Sequence, residues 1–259
     1  MTEALTSAAN PHIRSLSRLK TRRGRRAAGA FLIEGTRELS RAIAAGRSID
    51  EIIFCPSIAS QGAAALAGTN AALVTTVAEI PFAKLTVRRG PDGIIGVAPI
   101  WEPTLAAIER DLVLIAEAVE KPGNLGAMLR TADGAGAAVV ATDPTVDLFN
   151  PNVIRASQGS LFTVPVAVGN ADEVVRWATG RGSVVVLAPD AGSPLWKTDL
   201  TGPVAIVVGS EHAGLTDRWL DLGAAVRIPM VGEVDSLNAS VAAAIVLYEA
   251  VRQRSSVGH

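Results

Sequence analysis

The sequence predicts an α/β protein, with a C-terminal, mostly parallel sheet preceded by a small α/β domain. Three observations carry this. Four runs in the C-terminal half are near-continuously apolar: "LVLIAEAV" (112–119), "AAVVAT" (137–142), "SVVVLAP" (183–189) and "VAIVVGS" (204–210). Without strict apolar–polar alternation, they read as parallel strands covered on both faces. Segments 124–135, 151–160, 171–179, 214–222 and 238–254 have helical character and supply the crossovers. Hydrophobic residues make up 49% of the 259, enough for a sizeable core in one large domain or two ordinary ones.

From the N-terminus, the first feature is a basic run. Arg14, Arg18, Lys20, Arg22, Arg23, Arg25 and Arg26 occur without an intervening acid. Such a run is either a solvated helix and turn or a phosphate-backbone contact, where each neutralised phosphate releases counterions. "GAFLIEGTRELSRAIAAGRSIDEIIFCPS" then reads as strand, helix, strand: Leu39, Ala42 and Ile43 have helical spacing, and Gly46 supplies a stop. A weaker helix at 60–67 and strands near 72–77 and 93–98 complete a compact unit, 1–98. The Pro-containing "PIWEPTLAAIER" reads as a linker, 99–110, into the domain at 111–259.

Composition narrows the function classes. The net charge of −1 gives no global field that announces a nucleic-acid partner. One Cys and three His argue against a disulfide framework and a metal centre. No signal-peptide-like segment or membrane-length apolar run occurs, so a cytoplasmic protein without a membrane partner is expected. The glycine fingerprint of dinucleotide sites, the phosphate-binding Gly-Lys-Ser/Thr loop and the nucleophile elbow are all missing.

In open α/β sheets, ligands bind beyond the carboxyl ends of strands. Three polar loops fit that position: "EKPGNLGAMLR" (120–130), "GSEHAGL" (209–215) and "IPMVGEVDSLNAS" (228–240). In the first, Asn124 either caps the following helix or serves a ligand. Gly126 and Arg130 share a helical face opposite the apolar stripe of Leu125, Met128, Leu129 and Ala132. Arg130 is therefore either a solvated side chain or an anion clamp beside a helix N-terminus. In the second loop, Gly209 would let a ligand approach the backbone, and Glu211 would orient Arg130 or Asn124. In the third, Ser236, Asn238 and Ser240 precede a helix that is apolar on every side.

"NLGAMLRTADGAGAAVV", "VVGSEHAGL" and "IPMVGEVDSLNASVAAAIVLYE" resemble, in that order, motifs 1 to 3 of the SpoU (TrmH-type) family of S-adenosylmethionine-dependent RNA 2′-O-ribose methyltransferases, within the SPOUT or α/β-knot superfamily. The resemblance covers 111–254, and 10–98 is similar to the substrate-binding domain that precedes ribosomal-RNA members. It implies a deep trefoil knot, which general topology rules would not anticipate, and a homodimer with the active site near its interface. It also implies a cofactor pocket at Gly209, Ile228 and Leu237, with Met230 close by. Arg130 would engage the substrate phosphate and help activate the hydroxyl, with Asn124, Glu211, Ser236 and Asn238 orienting it. The basic run and Arg155 become RNA contacts, Arg155 being equally readable as a surface helix residue. Ribosomal RNA is favoured as substrate over transfer RNA because of the separate N-terminal module. A non-catalytic RNA-binding protein and a nicotinamide-dependent oxidoreductase are the remaining readings; the intact polar set opposes the former, and the missing glycine fingerprint the latter.

Overall fold

The computed structural model describes residues 4–69, 73–210 and 214–257. It begins with α1 (Pro11–Arg18), α2 (Arg22–Ala28), β1 (Ala30–Glu34), α3 (Thr36–Ala44) and β2 (Glu51–Phe54). Next come α4 (Gln61–Thr69), β3 (Leu73–Thr76), α5 (Glu79–Leu85) and β4 (Ile94–Pro99). The chain continues through β5 (Leu112–Glu117), α6 (Pro122–Ala135), β6 (Ala138–Thr142), α7 (Pro151–Ala156), β7 (Val166–Gly169) and α8 (Ala171–Thr179). It closes with β8 (Ser183–Leu187), β9 (Ser193–Pro194), β10 (Val204–Val208), α9 (Asp217–Leu220), β11 (Ala224–Arg227) and α10 (Ala239–Val257). No described helix is long and apolar enough to cross a membrane.

Two compact units result: the chain up to Trp101 with Asp147–Thr163, and Glu102–Val146 with the chain from Val164 onward. In the first, a four-stranded sheet runs β1-β4-β2-β3, with β4 antiparallel to both neighbours and β2 parallel to β3. Ile13 and Leu16 of α1 and Phe82 and Leu85 of α5 bury against Leu32, Ile53 and Ile95 of that sheet. Asn10 and Thr21 cap α1 and α2, accepting from the His12 and Gly24 amides. The α5 helix escapes a periodicity reading because it contains a proline. Pro81 sits in the first turn, where its missing N–H costs no intrahelical bond.

The helix expected at 151–160 as a crossover ends at Ala156 and packs against β1 in the first unit. Aromatic packing and charge pairing account for this. Phe149 lies 4.9 Å from Phe31 and 4.6 Å from Trp101 between ring centroids, and Phe162 joins the same cluster. Asp147 accepts from Arg25 Nε at 2.9 Å and Nη2 at 2.5 Å.

The second unit is the expected parallel sheet, with seven strands in the order β7-β6-β5-β10-β8-β11-β9. The four apolar runs form the contiguous central strands β6, β5, β10 and β8. The two-face burial inferred from their composition is met by Val113, Ile115, Val140, Val186 and Val207 on one face and Leu114, Val139, Val185 and Ile206 on the other, all buried. The short β7, β9 and β11 lie outside them, too brief to leave a periodic signal. At the carboxyl end of the chain, α10 packs on α6. Gln253 donates to Thr198 O and accepts from Leu200 N, and Arg254 donates to Leu200 O and Gly202 O.

Candidate active site

Beyond the carboxyl ends of β8, β10 and β11 lies a cavity of about 290 Å³. Its walls are mostly apolar, from Leu187, Val208 and Val226 at the strand ends to Ile228 and Leu237 beyond β11. All four residues expected at a cofactor site, Gly209, Ile228, Met230 and Leu237, line it, and Ser236 does so too. Small-molecule pockets have this character, apolar walls with a few polar groups that fix orientation.

At Gly209 the chain itself leaves no room for a side chain. A Cβ at this position would fall 2.2 Å from the Gly214 carbonyl oxygen and 2.7 Å from Leu215 N. The space is occupied by the chain's own return, held by Gly214 N donating to Ser210 O at 3.1 Å. Glycine is required so that the loop can close on itself.

Asn124 is not the cap of its helix. The α6 helix begins at Pro122 with Lys121 in the capping position, so Asn124 lies inside the first turn. It is 9% exposed, and its Oδ1 accepts from Asn238 Nδ2 at 3.2 Å. Asn238 directly precedes α10, and its own Oδ1 accepts from Ser240 N at 3.0 Å and Ser240 Oγ at 2.7 Å. That capping arrangement leaves only the Asn238 amide nitrogen to face Asn124. The Asn124 Nδ2 is left buried, with no hydrogen-bond partner among the described residues. A buried donor without an acceptor is costly; its partner residue Asn238 directly follows Ser236 and Leu237 of the cavity wall. Arg130 is exposed on α6, whereas Gly126, its expected bare neighbour, is buried. Glu211 lies outside the described residues.

One functional group escapes the sequence reading. Glu117, the last residue of β5, is 2% exposed. Its Oε1 accepts from Thr216 Oγ1 at 2.8 Å and Trp219 Nε1 at 3.0 Å, and its Oε2 from Thr216 N at 3.0 Å. It thereby anchors the start of α9 immediately after Gly214 and Leu215, which line the cavity. The available signal was an acid ending an otherwise apolar strand.

The basic run divides. Arg14, Arg18, Arg22, Arg23 and Arg26 are exposed, as is Arg155, whose Nη2 donates to Asn152 Oδ1 at 3.4 Å. Arg25 departs from the expectation. It is 1% exposed, its guanidinium held by Asp147 and by Leu19 O at 2.9 Å, so it does not face solvent as an RNA contact would. Lys20 is likewise engaged, donating to Lys84 O at 2.9 Å.

Residues 111–248 match the SpoU rRNA Methylase family. The chain belongs to that family. Residues 10–96 match the MRM3-like substrate binding domain. The chain is 33% identical to the 23S rRNA (guanosine(2553)-2′-O)-methyltransferase RlmP of Bacillus subtilis (strain 168), over 94% of this chain and 97% of the relative. A crystal structure of an RNA 2′-O ribose methyltransferase is 42% identical, with a TM-score of 0.87, covering 98% of this chain and all of the other. The SpoU methyltransferase AviRb from Streptomyces viridochromogenes, solved with the cofactor AdoMet, is 30% identical with a TM-score of 0.88, covering 95% and 99% of the two chains. The relatives thus cover both units, and the three sequence blocks fall within residues 111–248 apart from Glu249 at the end of the third.

Proposed function

We propose that this SpoU protein is an S-adenosylmethionine-dependent RNA 2′-O-ribose methyltransferase acting on ribosomal RNA. The observation that carries the reading is the adjacency of the apolar cavity to the Asn124–Asn238 pair, with one buried amide donor unspent. The residues present fit the cofactor. Apolar walls suit an adenine, and backbone groups and the Ser236 hydroxyl are available to its polar edges. Bound there, S-adenosylmethionine would supply an electrophilic methyl group to an incoming ribose oxygen.

The chain's own side chains would do the rest. Asn238, locked by its capping bonds, holds Asn124. The Asn124 amide donates to an oxygen of the substrate nucleotide. Arg130, exposed on α6, engages a phosphate and lowers the cost of deprotonating the 2′-hydroxyl beside it, the proton passing to solvent as the methyl group is transferred. Ser236 and Glu211 complete the polar ring. Rate acceleration then comes chiefly from in-line placement of hydroxyl and methyl. Arg14, Arg18, Arg22, Arg23, Arg26 and Arg155 would contact the RNA backbone. The N-terminal module (1–98, joined by 147–163) is read as the RNA-binding part, 99–110 as a linker and the rest of 111–259 as the catalytic domain.

Three further features belong to this reading: a trefoil knot, a homodimer and a cytoplasmic location. The knot is supported by the chain's return from β11, beyond β8, to lay α10 on α6, which follows β5. The homodimer is supported by Val241 and Tyr248, large apolar side chains left 46% and 52% exposed one above the other on α10. The location follows from the substrate class.

The test is transfer of labelled methyl from S-adenosylmethionine to separated, unmodified ribosomal and transfer RNA, followed by digestion to nucleosides. A 2′-O-methylnucleoside from ribosomal RNA is expected; label in transfer RNA alone would overturn the substrate. Arg130→Ala should abolish transfer while leaving cofactor affinity intact, and near-normal turnover would remove Arg130 from the mechanism.

A further inference from the structure

Among the described residues lining the cavity, Asp190 is the one with a formal charge. It lies in the turn after β8, where Ala191 N donates to Ala188 O at 3.2 Å. Arg227 of β11 fixes that turn by donating to Ala191 O at 2.6 Å and Gly192 O at 2.8 Å. The Asp190 carboxylate is exposed, and no hydrogen bond or ion pair engages it among the described residues. The turn held by Arg227 thus presents an acceptor pair to a cavity whose other described lining residues are uncharged.

Its place in the sheet says which part of a ligand it meets. Asn124 follows β5 and Asp190 follows β8, with β10 between them. At the usual strand spacing the strands that lead to them, β5 and β8, lie about 10 Å apart across the sheet. The reacting methyl has to lie at the Asn124 end, so the nucleoside end of the ligand falls towards Asp190. The chemistry there is a vicinal diol, two adjacent hydroxyl donors matched to the two oxygens of one carboxylate. An acidic residue at a strand end plays this part towards ribose hydroxyls in dinucleotide-binding folds.

We infer that Asp190 is a specificity-determining residue for the cofactor, its carboxylate accepting hydrogen bonds from the ribose 2′- and 3′-hydroxyls. The inference rests on the reading of the cavity as an S-adenosylmethionine site. It adds a recognition residue from outside the three sequence blocks that the family resemblance marks.

Calorimetric titration of the full chain tests it, using S-adenosylmethionine, S-adenosylhomocysteine and the 2′-deoxy and 3′-deoxy forms of the latter. Asp190→Ala should weaken both parent ligands by the same factor, about 10- to 100-fold, as expected for loss of hydrogen bonds to a charged group. The deoxy ligands should bind the wild type and the variant with more nearly equal affinity. Asp190→Asn, which keeps one acceptor, should fall between. Because the side chain is exposed and unpartnered, an unchanged melting temperature is expected to show that the fold is intact. Unchanged affinity for both parents would overturn the inference and leave the cofactor reading standing. Weakening of S-adenosylmethionine alone would also overturn it, showing that Asp190 senses the sulfonium charge. Failure of the wild type to bind either parent would instead remove the cofactor reading itself, and the inference with it.

Discussion

Replacing Glu117 with alanine tests whether one buried carboxylate holds a wall of the apolar cavity. Three donors converge on it, the indole N–H of Trp219 and the amide and hydroxyl of Thr216, at 3.0, 3.0 and 2.8 Å. The two residues respond differently. Trp219 is fully buried, so its N–H would be left without an acceptor, whereas Thr216 is exposed and would be rehydrated. Hydrogen bonds to charged groups contribute about 1.5–3 kcal/mol each, and water recovers part of the Thr216 share. Release of the carboxylate's own desolvation cost works in the opposite direction. The net loss is therefore about 2–4 kcal/mol. Glu117→Gln keeps the Oε1 acceptor for Trp219 and the Thr216 hydroxyl but points an NH₂ at the Thr216 amide, so about 1–2 kcal/mol is expected. Urea denaturation followed by tryptophan fluorescence measures both variants, with the order wild type, Gln, Ala in falling midpoint. Cofactor affinity should fall in the same order, because Gly214 and Leu215 line the cavity. If Glu117→Ala unfolds within about 0.5 kcal/mol of wild type, the ordinary scatter of a surface substitution, Glu117 does not anchor the wall.

Asp147→Ala should cost about 3–5 kcal/mol by stranding the buried Arg25 guanidinium, and the double variant R25M/D147L should recover most of that loss in a thermal melt. A D147A protein as stable as wild type would show that Arg25 finds solvent. On α10, hydrogen bonds from Arg252 lower the Glu249 pKa to about 2, burial opposing them and Gln253 adding to them. A carboxylate with a depressed pKa contributes stability above its ordinary value of 4.5 and loses it as pH falls through about 2. The stability advantage of wild type over Glu249→Gln should therefore shrink across that window in urea melts, and a constant difference would refute the linkage. Reversing Arg22, Arg23 and Arg26 to Glu should weaken RNA binding and lower its salt slope by about one unit per lost phosphate contact. Arg25 is left out because it is buried; an unchanged slope would mean that the patch is a solvated face.

The candidate site was legible in part. Gly209, Ile228, Met230, Ser236 and Leu237 could be placed together because motif order and strand-end loops confine them to one edge of the sheet. The pairing of Asn124 with Asn238 was not, since Asn238 is 114 residues away and the alternative for Asn124, a helix cap, satisfies every local rule. Arg25 was misplaced for a related reason. Within the run it is indistinguishable from Arg23 and Arg26, and only Asp147, 122 residues on, gives it a partner worth burying.

The sequence by itself determined the class of fold and its central strands. Continuous apolar runs tolerate no arrangement but burial on both faces, and the turn signals that bound them are local. Gly136 is one such signal: it adopts a left-handed φ of 67° between the end of α6 and the run at 137–142. Only the tertiary structure decided which unit claims 147–163, which strands join the sheet at its edges, and which polar groups are buried. An apolar residue is satisfied by any apolar neighbour, so its burial can be inferred from periodicity alone. A carboxylate, guanidinium or amide is stable in the interior only opposite a particular partner at hydrogen-bonding distance. For Glu117, Arg25 and Asn124 that partner is brought near by the path of the whole chain, on which local sequence is silent.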